Sequence, residues 1–173
     1  MWNYTGNERP NFAIEPAIGQ ESVWDYPRPP VAEATSRLVE VMAGDVQVAR
    51  TWHSYRLKET ASPPTYYLPP GDVDRDLLVP VKGSSICEWK GAAVYWALRS
   101  DPDTVVAWCY PNPRPPFDRL RNSLAFYPGR IDCFVDGELV TPQPGRFYGG
   151  WITSDVVGPF KGCLLYTSDA ADE

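Results

Sequence analysis

Apolar and polar residues alternate with a period of two along several short stretches of this chain, and two of these patterns flank tight turns. Residues 38–42 and 46–49 alternate on either side of a turn that contains Gly44. Residues 131–140 do the same around Asp136-Gly137, a dipeptide that strongly favours hairpin turns. Both patterns predict β-hairpins. Further strands are predicted at residues 55–59, 65–68, 84–89, 92–98 and 104–110.

Helical periodicity is confined to short segments. Apolar residues recur three and four positions apart in residues 117–124, which predicts one short helix. Residues 71–78 predict a single helical turn with Asp72 as its N-cap. Residues 24–30 are rich in proline and aromatic side chains, and they are predicted to be stiff and non-helical. Many short strands without β-α alternation place the chain in the mainly β class.

The length of 173 residues suits one domain and is too short for two domains of ordinary size. The 19 prolines, with 7 Trp, 10 Tyr and 6 Phe, also favour short strands and turns. Residues 1–21 lack sustained periodicity and predict an extended N-terminal arm, which we expect to dock through Trp2, Tyr4 and Phe12. Residues 22–162 are expected to form the single domain.

The last residues of the chain have the signature of a cloning artefact. Residues 163–168 back-translate to TGT CTC TTA TAC ACA TCT, the end of a transposase-based sequencing adapter, and residues 169–173 fit the same adapter read onward. We therefore expect residues 163–173 to be an adapter scar on a domain truncated near Gly162. The alternative is a genuine acidic tail.

Charge and hydropathy argue against two classes of partner. A formal net charge of -6 and a pI near 4.8 do not suit nucleic acid, because binding to a phosphate backbone relies on basic residues. No apolar run approaches the roughly 20 residues of a bilayer span, and the chain does not start like a signal peptide. We therefore expect no nucleic acid and no membrane partner, and a cytoplasmic location.

Familiar catalytic and cofactor motifs are absent from the sequence. His53 is the only histidine and no nucleophile elbow lies near it, so a catalytic triad is not indicated. Cys87, Cys109 and Cys133 are far apart in the chain, which favours neither a zinc site nor a disulfide framework. No Gly-rich phosphate-binding motif occurs. We therefore expect no metal and no cofactor.

Aromatic residues near a few polar ones make up the candidate site. Alternate side chains of neighbouring strands share a face, so rings from distant stretches could line one concavity. Several rings around one or two charged groups are typical of a ligand pocket, and the alternative is that the rings fill the core. The predicted ligand-binding residues are Glu59, Tyr67, Cys87, Trp89, Lys90, Tyr95, Trp108, Tyr110 and Tyr127.

The polar members of this set have specific expected roles. Lys90 would supply a point charge beside Gly91, where a glycine lets backbone approach a ligand. The alternative is an exposed turn lysine. Glu59 is a candidate partner of Lys90, or else a solvated strand-end glutamate. Cys87 would act as a nucleophile if a nearby cation activated it, and otherwise it is a buried, unreactive thiol.

Several ordered blocks of the sequence resemble the family known as domain of unknown function 427, which also carries a nucleotidyltransferase label. The likeness extends from about Ser22 to Gly162. The blocks are residues 22–30 (SVWDYPRPP), 59–60 (ET) with 63–69 (PPTYYLP), 87–95 (CEWKGAAVY), 107–108 (AW) with Tyr110, 125–128 (AFYP), 148–151 (YGGW) and 158–162 (GPFKG).

The resemblance implies a fold like that of the exchange chaperone Mss4, the β-tent, in which two sheets meet along one edge. Other β-tent families, including the methionine sulfoxide reductases, place ligands in an aromatic-lined pocket and often carry a zinc knuckle. This chain has no paired cysteines, so neither zinc nor reductase chemistry carries over to it. It also has no phosphate loop and no paired metal-binding carboxylates, so the transferase label does not define its activity.

Three hypotheses for function follow from the sequence. The first is a module that binds a small molecule between the predicted rings. The second is an enzyme that uses Cys87 or Lys90, and the third is a protein-interaction module that docks through the N-terminal arm. We expect a monomer or a weak homo-oligomer.

Overall fold

Short strands form most of the regular structure in the computed structural model, which describes residues 3–145 and 148–162. The strands, in chain order, are β1 (Glu21–Ser22), β2 (Val31–Ala34), β3 (Val39–Ala43), β4 (Val46–Thr51), β5 (Tyr55–Lys58), β6 (Thr65–Tyr67), β7 (Leu78–Cys87), β8 (Gly91–Leu98), β9 (Asp101–Cys109), β10 (Ala125–Phe126), β11 (Asp132–Val135), β12 (Glu138–Leu139), β13 (Thr141–Pro142), β14 (Trp151–Ile152) and β15 (Val156–Val157). Trp2 and the predicted adapter scar at residues 163–173 lie outside the described residues.

The strands assemble into several small sheets. Two sheets have four strands each, in the orders β10-β9-β8-β7 and β12-β11-β3-β4, and a third has the order β2-β5-β6. All pairs within these sheets are antiparallel, as is the β13-β14 pair, whereas β1 and β15 pair in parallel. The mainly β class is therefore confirmed. The finer β-tent arrangement remains a prediction.

Both hairpins predicted from alternation are present. β3 and β4 pair across a turn in which Gly44 has a φ of 59°. β11 and β12 pair across Asp136 and Gly137, whose φ angles are 50° and 83°. Positive φ at both turn residues gives the twist that matches the flanking strands, and Asp and Gly tolerate this conformation well. The turn residues therefore explain why the local sequence was sufficient to predict both hairpins.

Helical segments in the described residues are single 3₁₀ turns, so the short helix predicted over residues 117–124 is wrong in length. The turn spans Phe117–Leu120. It ends there because the ψ of Arg121, 121°, is not helical, and Asn122 is left-handed, with a φ of 58°. None of these described segments is long and apolar enough to cross a bilayer.

Two other local predictions were wrong. Val23–Asp25 form a 3₁₀ turn, although residues 24–30 were predicted to be non-helical. The turn forms because the Ser22 side chain accepts a hydrogen bond from the Trp24 amide, and the first proline comes only at Pro27. Asp72 does not cap a helical turn.

The segment around Asp72 contains two 3₁₀ turns in place of one. Asp72 is the last residue of the first turn, Pro70–Asp72. The second turn, Arg75–Leu77, is capped by Asp74, whose carboxylate accepts from the amide of Asp76. Asp72 accepts a hydrogen bond from the Thr51 hydroxyl instead, and this bond ties the segment to β4.

Neighbouring residues of three strands point into two different cores. Tyr66, Ala107 and Phe126 belong to the larger core, which also includes the inner faces of β3, β4 and β11. Their neighbours Tyr67, Trp108 and Ala125 belong to a second core with Leu57, Phe117 and Leu120. This alternation follows from the strand period of two. β6, β9 and β10 therefore separate the two cores, and the bridge between Leu68 and Leu124 joins β6 to β10.

The N-terminal arm packs on a third cluster around the buried Trp24. The rings of Tyr4 and Phe12 both lie with centroids 5.3 Å from that of Trp24, in edge-to-face geometry. Arg9 forms two hydrogen bonds of 2.7 Å with the carboxylate of Asp25. The arm thus contacts the chain's own domain through two of the three predicted rings.

Candidate functional site

A cavity of about 220 Å³ opens over the second core. Six of the nine predicted ligand-binding residues line it, so the structure brings together rings from four separate stretches of chain. The lining residues are Leu57, Thr65, Tyr67, Ser85, Lys90, Ala93, Tyr95, Trp108, Tyr110, Tyr127 and Gly149.

Strand periodicity explains how these rings share one face. Trp108 and Tyr110 are two residues apart at the end of β9. Thr65 and Tyr67 are likewise two residues apart on β6, and Leu57 on β5 pairs directly with Thr65. Each of these side chains therefore emerges on the cavity side.

Lys90 reaches the cavity from the turn between β7 and β8. That turn is held by Arg114, whose amide donates a 3.0 Å hydrogen bond to the Lys90 carbonyl and whose guanidinium donates a 2.9 Å bond to the Glu88 carbonyl. Gly91 has a φ of 102°, and a Cβ there would meet the Asn112 carbonyl at 3.4 Å. Gly91 therefore serves the backbone turn and does not line the cavity.

The ammonium of Lys90 is held in a largely buried environment, with the residue only 8% exposed. It lies 5.6 Å from the ring centroid of Tyr110, within the range of a cation–π contact. Burial acts to lower the pKa of Lys90. Tyr67, Cys87 and Glu59 act to raise it, and the net pKa is above that of an ordinary lysine. Lys90 is therefore a protonated, positively charged group at neutral pH.

Three of the phenols around the cavity, those of Tyr67, Tyr110 and Tyr127, stay protonated. Burial raises the pKa of Tyr67 and Tyr110, and it raises that of Tyr127 to about 12. Tyr95 shares a short hydrogen bond with Ser85 across the β7-β8 pair. The cavity therefore offers neutral hydroxyl groups beside one positive charge.

Trp108 forms the largest wall and is fixed on several sides. Its indole Nε1 donates a 3.3 Å hydrogen bond to the Tyr67 hydroxyl. Its ring lies 4.5 Å from that of Tyr127, which in turn stacks under the guanidinium of Arg130 at 4.2 Å. Gly149 lies against the indole so closely that a Cβ would be 2.3 Å from its outer edge. These contacts leave the indole little freedom to rotate.

Three predicted site residues lie beside the cavity without lining it. Cys87 and Trp89 are half-buried and pack against the second core. Glu59 is half-buried just after β5, and its carboxylate acts on Lys90 electrostatically. In the described part of the chain no carboxylate lies within 4.0 Å of the Lys90 ammonium. The expected pairing of Glu59 with Lys90 thus acts only at longer range.

Five lining residues were not predicted from sequence. Thr65 and Ala93 stand two positions from Tyr67 and Tyr95, so strand periodicity could have identified both. Ser85 is paired with Ala93 across the β7-β8 hairpin, so it could have been predicted from Ala93. The remaining two, Leu57 and Gly149, reach the cavity through long-range packing that leaves no local signal.

A second depression lies elsewhere, between the β3-β4 turn and the loop before β11. Its volume, about 440 Å³, is larger than that of the Lys90 cavity. The described residues of its lining include Arg130 and Asp132, of opposite charge, but no aromatic ring. Among the described residues there is also no group of three histidine, cysteine or carboxylate side chains arranged to hold a metal ion. The aromatic cavity is therefore the candidate with specific chemistry.

Fold and site together define a mainly β protein with a basic cavity walled by aromatic rings. The sequence pattern of the family described as Domain of unknown function (DUF427) matches residues 31–137, and the chain belongs to that family. The resemblance found in the sequence is thus confirmed. All nine predicted site residues lie within the matched region, whereas Gly149 lies after it. No curated protein matches the chain.

Proposed function

We propose that this protein binds a small molecule in the Lys90 cavity. The observation that carries the proposal is a largely buried ammonium at a 220 Å³ cavity whose walls are rings from distant parts of the chain. Concave sites of apolar and aromatic walls with a few convergent polar groups are typical of ligand pockets. A core that only served stability would gain more from filling this volume with side chains.

The size of the cavity limits the ligand. A volume of 220 Å³ lies below the roughly 300 to 1,000 Å³ of ordinary ligand pockets. The ligand is therefore smaller than a nucleotide or a typical drug. A fragment-sized metabolite is the class of molecule to test.

A thermal-shift screen of fragment-sized metabolites tests the proposal. A ligand at a hundred times its Kd stabilises the folded protein by about 2.7 kcal/mol, which for a domain of this size raises the melting temperature by roughly 5 to 10 °C. We expect at least one compound to do so. The proposal fails if none raises the melting temperature of the wild-type protein.

A cavity-filling variant shows whether a hit binds at this site. Ala93 lines the cavity, whereas its neighbour Ala92 is exposed on the opposite face of β8. Ala93→Leu should abolish the thermal shift, and Ala92→Leu should keep it. A hit that stabilises both variants equally binds somewhere else.

A further inference from the structure

We infer that the cavity selects an anion, and specifically a monocyclic aromatic carboxylate whose carboxylate group contacts the ammonium of Lys90. This inference rests on the proposed function, because it names the class of molecule that the cavity would bind.

The charge of the residues that line the cavity favours an anionic ligand. Of the eleven described residues that line the cavity, only Lys90 carries a formal charge at neutral pH. A charge that is largely removed from water requires a partner of opposite sign or several hydrogen bonds. The ammonium has three donors; the thiol of Cys87 interacts with one of them, and no carboxylate of the described residues lies within 4.0 Å of it. A ligand carboxylate would supply the opposite charge and accept from the remaining donors of the ammonium.

The same ammonium argues against a cationic ligand. Cages of aromatic rings commonly bind quaternary ammonium groups through the faces of the rings. Here the face of Tyr110 is already occupied by Lys90, at 5.6 Å. A second cation in the cavity would be repelled at short range. The ring walls therefore contact the apolar body of the ligand, and the charge contact belongs to Lys90.

The number of charges favours a carboxylate over a phosphate. A phosphate monoester carries about -1.5 to -2 at pH 7 and offers three strong acceptor oxygens. More than one positive charge is needed to match such a group when it is removed from water. The described residues that line this cavity include one ammonium and no arginine. A ligand with a single negative charge therefore matches the single positive charge of Lys90.

The walls and the volume define the rest of the ligand. Tyr67 and Trp108 are nearly perpendicular, at 88°, and Tyr127 lies close to Trp108, so the rings form a corner. A flat ring placed in that corner meets one wall face-on and the other edge-on, which are the preferred aromatic geometries. A volume of 220 Å³ is below the roughly 300 to 1,000 Å³ of ordinary ligand pockets. One six-membered ring with a carboxylate fits this size.

Isothermal titration calorimetry at pH 7 with three matched probes tests the inference. Benzoate, benzamide and benzylammonium share the ring and differ in charge. We expect benzoate to bind at least about ten-fold more tightly than benzamide, because loss of one partner of a buried charge contact usually costs this much or more. Benzylammonium should show no binding.

A lysine variant and a matched control locate the charge contact. Lys90→Met keeps an apolar stem of similar length and should lower benzoate affinity about ten-fold or more, while benzamide affinity stays the same. Lys82 is an exposed lysine on the neighbouring β7 strand. Lys82→Met should leave both affinities unchanged. If Lys90→Met does not fold, as judged by its circular dichroism, the ranking of the three probes on the wild-type protein decides the question.

The outcomes separate the inference from the proposed function. Equal binding of benzoate and benzamide, or tighter binding of benzylammonium, overturns the anion inference and leaves a small-molecule site in place. Failure of all three probes, with other hits in the metabolite screen, overturns only the ligand class. Failure of the probes and of the whole screen overturns both.

Discussion

The indole Nε1 of Trp108 donates a 3.3 Å hydrogen bond to the hydroxyl of Tyr67, a residue 41 positions earlier in the chain. The two rings meet edge to face with their centroids 6.2 Å apart. Both belong to the second core, and both line the cavity. This bond therefore ties β6 to β9 at the point where the proposed site is formed.

Removing the acceptor of this bond should destabilise the protein. Tyr67→Phe leaves the buried indole N–H without its partner, and we expect the free energy of unfolding to fall by about 1 to 3 kcal/mol. Urea denaturation followed by tryptophan fluorescence measures the change. Tyr55→Phe is the control, because Tyr55 packs on the same core and its hydroxyl has no hydrogen bond among the described residues.

A double-mutant cycle tests whether the two side chains act together. Trp108→Phe and Tyr67→Phe, alone and combined, should give a coupling of about 0.5 kcal/mol or more. Additive effects of the two substitutions would contradict the hydrogen bond as a stabilising link.

Gly149 is predicted to be sensitive to the smallest substitution. A methyl group at this position would lie 2.3 Å from the Trp108 indole, so the indole must move toward the cavity. We expect Gly149→Ala to lower the free energy of unfolding by about 1 to 3 kcal/mol and to weaken binding of any ligand at the site. Chemical denaturation and calorimetry measure the two effects. Gly71→Ala is the control, because no atom lies within 4 Å of a Cβ there, and its unchanged stability should contrast with that of Gly149→Ala.

Asp136 is expected to make the free energy of unfolding depend on pH in the acid range. Its hydrogen bond from Arg37 holds the pKa of the carboxyl below its usual 3.8. A carboxyl with a lowered folded-state pKa stabilises the protein fully above its unfolded pKa, and this contribution is lost as pH falls through the lower folded value. Because Asp136 is largely exposed, the contribution is about 1 kcal/mol or less.

Asp136→Asn isolates this charge, because asparagine tolerates the positive φ of the turn. The wild-type protein should be more stable than the variant at pH 7, and the difference should shrink as the pH falls from 4 to 2. Urea unfolding at several pH values measures it. A difference that stays constant over that range would rule out the Arg37 contact as its source.

The three described cysteines should differ in reactivity. Cys87 is half-buried, whereas Cys109 and Cys133 are buried. Burial also raises the pKa of Cys109 and Cys133, and the thiolate is the reactive form. We expect iodoacetamide at pH 7.5 to label Cys87 at least about ten times faster than either of the others, as measured by peptide mass mapping. Equal labelling of Cys87 and Cys133 in the folded protein would contradict the burial pattern.

Local sequence predicted the parts of the fold that local chemistry determines. The Asp136-Gly137 turn and the alternation in β3, β4 and β9 identified strands and hairpins correctly. The helix predicted over residues 117–124 failed because the left-handed Asn122 interrupts a pattern that looked continuous. The turn at Val23–Asp25 departs from the non-helical prediction because the Ser22 side chain caps it before the prolines begin at Pro27.

The candidate site was predictable to the extent that it follows strand periodicity. Trp108 and Tyr110, two residues apart, were correctly expected to share a face. Gly149 could not be predicted in the same way, since its role comes from a close approach to an indole 41 residues away. The position of Lys90 depends on Arg114, which donates hydrogen bonds to the carbonyls of Glu88 and Lys90 in the turn. Nothing in the local sequence around Arg114 indicates this role.

One layer of strands, formed by β6, β9 and β10, separates the two cores. This arrangement limits which mutations the protein can accept. A one-residue slip in β9 would turn Trp108 toward β3 and β4 and bring Ala107 to the cavity, exchanging the largest ring of the site for a methyl group. Insertions or deletions within β6, β9 or β10 would thus disrupt the packing of both cores at once. Side-chain replacement at fixed register is the route by which this cavity can acquire a new shape.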